Sequence, residues 1–239
     1  MTQKTICVRI QAMNETLPRV SAIILAGGQS RRMGRDKAFI EFEGKPLIQR
    51  VLERVQPLCA ETIIVANDAA AYARFDLRVV PDIYPGKGSL GGIFSGLSAA
   101  RETHALAVAC DMPFLNGDLL RYLISLAPLF DVVIPRAPDA SGKTPRGARG
   151  DAVRAHPRSE QPIAKESNLH PLHAIYSKNC LAAMQARIHA EDLRMVGFFD
   201  KVRVRMVSEE EVDRFDAEHW SFFNMNTPED WELARSIVK

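Results

Sequence analysis

The chain has 239 residues, 46% hydrophobic, 25% charged and 7% aromatic, the make-up of an ordinary globular protein of one or two domains. A formal net charge of +2 is too small for a nucleic-acid binder, and no apolar run approaches the ~20 residues that a membrane helix needs. Residues 1–19 lack the apolar stretch of a signal peptide, and Cys7, Cys59, Cys110 and Cys180 are too scattered for a zinc site, so they read as separate thiols of a reducing cytoplasm.

From Val20 onward, strand-length apolar runs alternate with stretches of helical period. Ser21–Leu25 is the first predicted strand, followed by a Gly-rich loop to about Lys37. Pro46 suits a first helical position, and Leu47, Val51, Leu52, Val55 and Leu58 form one apolar stripe behind it. Strands come next at Thr62–Ala66 and Leu77–Val80, and then a second Gly-rich loop, Gly86–Gly92, opens a helix to about Ala100. His104–Cys110 and Asp131–Ile134 have the pattern of buried strands, and Leu172–Tyr176 resumes the sheet. A helix near Leu181–Ile188, a strand near Val202–Val207 and a helix over Pro228–Ile237 complete the order. Such alternation predicts a Rossmann-like α/β sandwich, helices on both faces of a mostly parallel sheet.

Between them, residues 137–168 break the rhythm, being rich in Pro, Gly, Ser and Arg. A loop of that length inside a compact domain is either functional or disordered. From Arg136 to His170 it carries seven cations (Arg136, Lys143, Arg146, Arg149, Arg154, Arg158, Lys165) against four anions (Asp139, Asp151, Glu160, Glu166). Two expectations stand side by side: a lid that attracts an anionic substrate, and a surface insertion without a role. Ser141–Thr144 hints at a Walker loop, but that pattern needs Gly at position 137, where this chain has Ala137.

The densest chemical signal is Leu25-Ala-Gly-Gly-Gln-Ser-Arg-Arg-Met-Gly-Arg-Asp-Lys37, directly after the first strand. Its glycines let backbone N–H groups approach phosphate oxygens, and Ser30, Arg32 and Lys37 add a hydroxyl and two cations. The spacing is not that of a dinucleotide fingerprint. Asp111 comes after the apolar run to Cys110 and so falls at the carboxyl end of a buried strand, the edge at which open α/β sheets bind ligands. Mg²⁺ prefers one or two protein carboxylates plus substrate phosphates, and this placement offers one. In Asn224–Asp230, Thr227, Pro228 and Asp230 suit the start of a helix, but that leaves the two asparagines unexplained. His170 and His173, three apart on a strand, should face opposite ways and form no metal pair.

The loop resembles the signature of nucleoside-triphosphate transferases in the version seen in molybdenum cofactor guanylyltransferases. The likeness recurs at Ala66-Asn67, Asp82, Gly88–Gly92, Cys110–Pro113, His170–His173 and Asn224–Asp230. The resemblance implies a nucleotidyltransferase domain over residues 19–239, behind an N-terminal extension of residues 1–18. It implies that Leu25, Ala26, Gly27, Gly28 and Ser30 meet GTP, that Arg32 and Lys37 hold its phosphates, and that Asn67 and Asp82 line the guanosine pocket. Asp111, with Asn226 beside it, would bind Mg²⁺. One departure is the pair Ser89 and Gly91, where the family has Pro and Ala in a Gly-Pro-Leu-Ala-Gly loop, which suggests a more flexible turn.

The implied reaction is attack by the molybdopterin phosphate on the α-phosphorus of GTP, releasing pyrophosphate in the cytoplasm, with transient contacts to molybdoenzymes or their chaperones and no nucleic acid or membrane involved. Positioning and charge neutralisation carry such chemistry, and no covalent nucleophile is needed. Alternatives are a related enzyme using CTP or a sugar phosphate, and a non-catalytic GTP-binding carrier. Intact Lys37 and Asp111 argue against the carrier.

Overall fold

The structure, a computed structural model, describes residues 17–26, 37–138 and 168–238. In chain order it consists of β1 (Ser21–Leu25), the short pair β2 (Glu41–Phe42) and β3 (Lys45–Pro46), α1 (Leu47–Val55), β4 (Glu61–Val65), α2 (Ala69–Tyr72), β5 (Arg78–Val80) and α3 (Gly88–Ala99). Then come β6 (His104–Ala109), α4 (Gly117–Leu126), β7 (Val132–Pro135), β8 (His173–Ser177), α5 (Leu181–His189), β9 (Val204–Val207), α6 (Glu209–Val212) and α7 (Pro228–Val238). The main sheet has seven strands in the order β5-β4-β1-β6-β8-β7-β9. All run in parallel except β8, which is antiparallel to both β6 and β7. The expected mostly parallel α/β fold is what forms.

Both sheet faces are apolar because the central strands β1 and β6 are apolar at every position after their first, and Ala22, Ile23, Ile24, Leu106, Ala107 and Val108 are all fully buried. One face packs on α1 and α4. There α1 and the turn after it contribute Ile48, Val51, Leu52, Val55 and Leu58, most of the predicted stripe, while Leu47 packs in a smaller cluster with Phe42, Phe223 and Met225. Helix α4 starts at Asn116, whose side chain accepts from the N–H groups of Asp118 and Leu119. The other face packs on α3 and α5, against Ile23, Val65, Ala107 and Tyr176. Helix α3 lies unusually close to the sheet, since a Cβ on Gly96 would stand 2.4 Å from Ile23 Cγ2.

Three local expectations change. Gly88–Gly92 is the first turn of α3 rather than a flexible loop, and Gly91 and Gly92 are buried. Pro46 precedes α1 as its N-cap and lies in β3, because the chain enters the helix directly from the hairpin. The two histidines do not point apart. His170 lies outside β8, and a turn that closes from His173 N–H to His170 O (3.0 Å) brings both rings onto Phe222.

Candidate active site

The ladder of the parallel strands runs one residue past their ends. Ala26 N–H donates to Val65 O (3.1 Å), Ala66 N–H to Val80 O (3.0 Å) and Cys110 N–H to Leu25 O (3.2 Å). Ala26, Ala66 and Cys110 therefore stop at one level, and the segments that begin there share a single edge. After β1 comes the Gly-rich loop, with Leu25 and Ala26 at its root; Gly27, Gly28, Ser30 and Arg32 lie outside the described residues. After β4 comes Asn67, and after β6 comes Asp111.

Lys37 re-enters this edge on a short turn of 3₁₀ helix, and its Nζ donates to Asn226 Oδ1 at 2.7 Å. Met225 N–H donates to the Asp111 carbonyl at 3.0 Å. Asp230 holds the same segment from within α7: its Oδ2 accepts from the N–H groups of Asn226 (2.9 Å) and Thr227 (2.8 Å), and its own N–H donates to Thr227 Oγ1 (3.3 Å). The expected reciprocal cap of α7 thus also fixes Asn226. Withdrawal from water pushes the Asp111 carboxyl above the ordinary carboxylate range, the Lys37 ammonium opposes this, and Asp230 adds to it. With Oδ1 on Lys37, Asn226 is in this arrangement a partner of the cation.

The support of residues 220–223 lies deeper. Phe222 is stacked on His170 at 4.1 Å between ring centroids and tilted against His173 at 4.8 Å. Ser221 N–H donates to Asp216 Oδ2 (2.8 Å), and Ser221 Oγ accepts from Asn116 N–H (2.8 Å). Burial pushes both imidazoles down, His170 to about 4 and His173 to about 3, so both are neutral rings at physiological pH. An alternation rule misses this cluster because its geometry depends on a turn, not on the strand.

On the other flank, Asn67 and Asp82 come together. Asn67 Oδ1 accepts from Asp82 N–H at 3.1 Å. Asp82 Oδ1 in turn accepts from Tyr84 N–H (3.0 Å) and lies 2.9 Å from the Ser95 hydroxyl of α3. Gly91 is small for the same reason, since a Cβ there would meet Tyr84 O at 2.9 Å. One Asp82 oxygen thus shapes its own loop beside the amino end of α3, the end of a helix that favours anions.

On the side of β6 away from Asn67, the described part of the long connection begins and ends as a stem. Arg136 bridges to Leu169, Ala137 N–H donates to Asn168 O (3.0 Å), and His170 N–H donates to Pro135 O (3.2 Å). Ala137, expected in the insert, is fully buried in the core. The proposed lid itself, with the Walker-like Ser141–Thr144, lies outside the described residues.

A lysine that follows a Gly-rich loop after the first strand and a carboxylate at the end of a central parallel strand, meeting at one sheet edge, are the arrangement of a nucleotidyltransferase of the α/β class. The chain belongs to the MobA-like NTP transferase domain family, which matches residues 22–203. It is 35% identical to a probable molybdenum cofactor guanylyltransferase of Pelotomaculum thermopropionicum, over 92% of this chain and 94% of that relative. It is 32% identical to a molybdenum cofactor guanylyltransferase of Desulfosudis oleivorans, over 92% of this chain and 96% of the relative. Among solved structures, molybdopterin-guanine dinucleotide biosynthesis protein A of Archaeoglobus fulgidus superposes with a TM-score of 0.70 at 25% identity, covering 92% of this chain and 98% of the other. The 2-C-methyl-D-erythritol 4-phosphate cytidylyltransferase of Thermus thermophilus shares the fold, with a TM-score of 0.62 at 18% identity over 92% of this chain and 99% of that one. No helix among the described residues is long and apolar enough to cross a membrane.

Proposed function

We propose that the chain transfers GMP from GTP to the terminal phosphate of molybdopterin, releasing pyrophosphate. The observation that carries this reading is the meeting of Lys37, Asp111 and Asn226 at one sheet edge, through the 2.7 Å contact of Lys37 with Asn226 and the 3.0 Å bond from Met225 to Asp111. The names of the relatives supply the choice of guanine and of the pterin acceptor. In the reaction an oxygen of the acceptor phosphate forms a bond to the α-phosphorus, the bond from that phosphorus to the β-phosphate bridge breaks, and pyrophosphate leaves with the electron pair. Lys37 and the loop after β1 neutralise and orient the phosphates, and Asn226 sets the angle of the Lys37 ammonium. Asn67 and Asp82 face the nucleoside, where a free Asp82 oxygen can accept from guanine N1 and N2 donors.

The donor set fits Mg²⁺. It is all oxygen: the Asp111 carboxylate and the Asn226 amide on segments joined by the Met225 bond to the Asp111 carbonyl, with Asp230 near enough to raise the Asp111 pKa, a pairing that favours a dication. Asp111 would hold it, with Asn226 joining if its amide oxygen leaves Lys37. When bound, the ion supplies charge neutralisation at the phosphates.

The test is to incubate the protein with Mg²⁺, molybdopterin and each of the four nucleoside triphosphates in turn, and to measure pyrophosphate release. Release with GTP, at a rate far above that with ATP, CTP or UTP, is expected. A site with polar partners for one base can reject another by ~10⁴. Equal use of CTP would assign the cytidylyl reaction instead, and GTP binding without release would leave a carrier.

A further inference from the structure

Resting on that proposed function, we infer that Arg136 is the residue that grips the phosphate monoester of the acceptor. It stands one residue past β7, and its backbone is fixed by the bridge to Leu169 and by its N–H donating to Val207 O at 2.9 Å. Its guanidinium has no anion among the described residues. Nη2 lies 3.6 Å from the neutral sulfur of Met206, and Nε is buried without a hydrogen-bond partner. Its neighbours are treated differently. Arg203 makes two bonds to Asp131, Arg205 pairs with Glu211, and Arg187, whose Nε is also buried without a partner, still shares the Asp192 carboxylate with Arg194. A buried guanidinium donor without an acceptor is costly, and a fold that supplies acids to the arginines around it yet leaves this one open has kept its acceptor for something else.

Register shows where that acceptor would sit. Ile175 of β8 lies opposite Leu106 of β6 and Val133 of β7, so those two are at one height. Arg136 is three residues above Val133 and Asp111 is five above Leu106, on strands that run the same way. Two strand spacings are roughly 10 Å and two residues of rise about 7 Å, so the two Cα atoms are about 12 Å apart at the same edge. Asp111 is short, but the Arg136 side chain, turned from Met206 towards β8, is long enough to reach a ligand held at Asp111. The groups that suit the nucleoside, Asn67 and Asp82, follow β4 and β5, on the far side of β6 from Arg136, and Lys37 lies between them and Arg136 at Asn226. The ligand left for Arg136 is therefore the second substrate. A guanidinium fork matches two oxygens of a dianionic phosphate monoester, the attacking group of the transfer.

The experiment compares wild type, Arg136→Met and Arg136→Lys by steady-state kinetics, by GTP binding without acceptor, and by thermal unfolding. Loss of one charge-assisted contact should raise the acceptor KM by about 10- to 100-fold, with GTP affinity and kcat at saturating acceptor within about twofold of wild type. Arg136→Lys, which keeps the charge and loses the fork, should fall between the two. Since the Arg136 guanidinium has no carboxylate partner among the described residues, Arg136→Met should not lower Tm. An unchanged acceptor KM, an equal rise for GTP, or a lowered Tm with both substrates equally weakened would overturn the assignment. If wild type releases no pyrophosphate with molybdopterin, the proposed function fails and the arginine is judged separately with inorganic phosphate. A phosphate-dependent rise in Tm that shrinks in Arg136→Met supports the anion site, and equal rises in both overturn it.

Discussion

The two halves of the sheet are built to different standards. In β5-β4-β1-β6 all strands are parallel, α3 lies close enough that Gly96 has no room for a methyl group, and every buried side-chain polar atom of the described residues has a partner. In β8-β7-β9 and the helix packed on it, one strand runs backwards and three buried nitrogens have no partner: Arg136 Nε, His173 Nε2 and Arg187 Nε. Buried polar groups are almost always satisfied in a native fold, so the exceptions are informative. Among the described residues the first half leaves no buried side-chain nitrogen or oxygen without a partner, whereas the second leaves three.

Asp111 lies at the seam between the halves, and changing it gives the largest expected effect. Asp111→Asn should lower kcat by ~10²–10³ or more, about the loss seen on removing one preorganised charge-stabilising group. Circular dichroism should remain that of wild type, because the carboxylate is at an edge and only its main-chain carbonyl holds Met225. Near-normal turnover at saturating Mg²⁺ would remove the seam from the chemistry.

The tight half is tested by Gly96→Ala. The added Cβ would stand 2.4 Å from Ile23 Cγ2 and 3.0 Å from Val65 Cγ2, and the helix has to move. Overpacking of this kind costs about 1–3 kcal/mol, which in a chain of this size lowers Tm by roughly 3–10 °C in calorimetry. An unchanged Tm would mean that this half is no more closely fitted than the other.

The open half has its own signature in pH. Buried as neutral rings, His170 and His173 have pKa values of about 4 and about 3, against 6.5 for an unconstrained imidazole. The unfolded chain therefore binds more protons below pH 6.5. Stability is complete above that pH and is lost as pH falls towards the folded values. Each proton contributes a slope of up to about 1.4 kcal/mol per pH unit, so Tm should fall between about pH 6.5 and pH 4.5, and His173→Phe should flatten that decline by about half. Asp131, held far below the ordinary carboxylate range by Arg203, loses its contribution only below about pH 4, a separate window. A flat profile from pH 7 to 5 in wild type would show that the rings are not buried neutral.

The smallest effect is expected where the halves touch at the surface. Lys87 beside the start of α3 pairs with Glu191 after α5 at 2.6 Å. An exposed ion pair is worth ~0.5 kcal/mol, so Glu191→Ala should shift Tm by no more than a degree or two. A larger loss would mean that the halves depend on this link.

Much of the tight half was legible in the sequence because its signals are local. Apolar runs marked β1, β4 and β6, a helical stripe marked α1, and strand-end position alone put Asp111 at the ligand-binding edge. The cap of α7 could be read from Thr227, Pro228 and Asp230. The loose half was less legible because its determinants are distant in the chain. Nothing in Leu172–Tyr176 says that the strand runs backwards, and Lys37 meets Asn226 across 189 positions. The contact between Phe222 and the two histidines depends on a turn, and Gly96 looks like any helical glycine until the strand beneath it is in place. The motif resemblance put Lys37 at the phosphates and Asn226 near the metal, which periodicity could not, and the direct contact between them appears only in the fold.

The backward course of β8 has one more consequence. Because β7 leaves the sheet and β8 re-enters it at the same edge, the two ends of the intervening segment are pinned together by Arg136, Ala137, Asn168 and His170, whatever lies between them. Lengthening a closed loop costs little, about 0.6 kcal/mol per doubling. A gene encoding this fold can therefore gain or lose codons between Pro138 and Asn168 with the sheet register undisturbed. That makes this position a place where descendants of one ancestor can diverge in length, and where a foreign peptide or a new pair of chain ends can be introduced with the least disturbance.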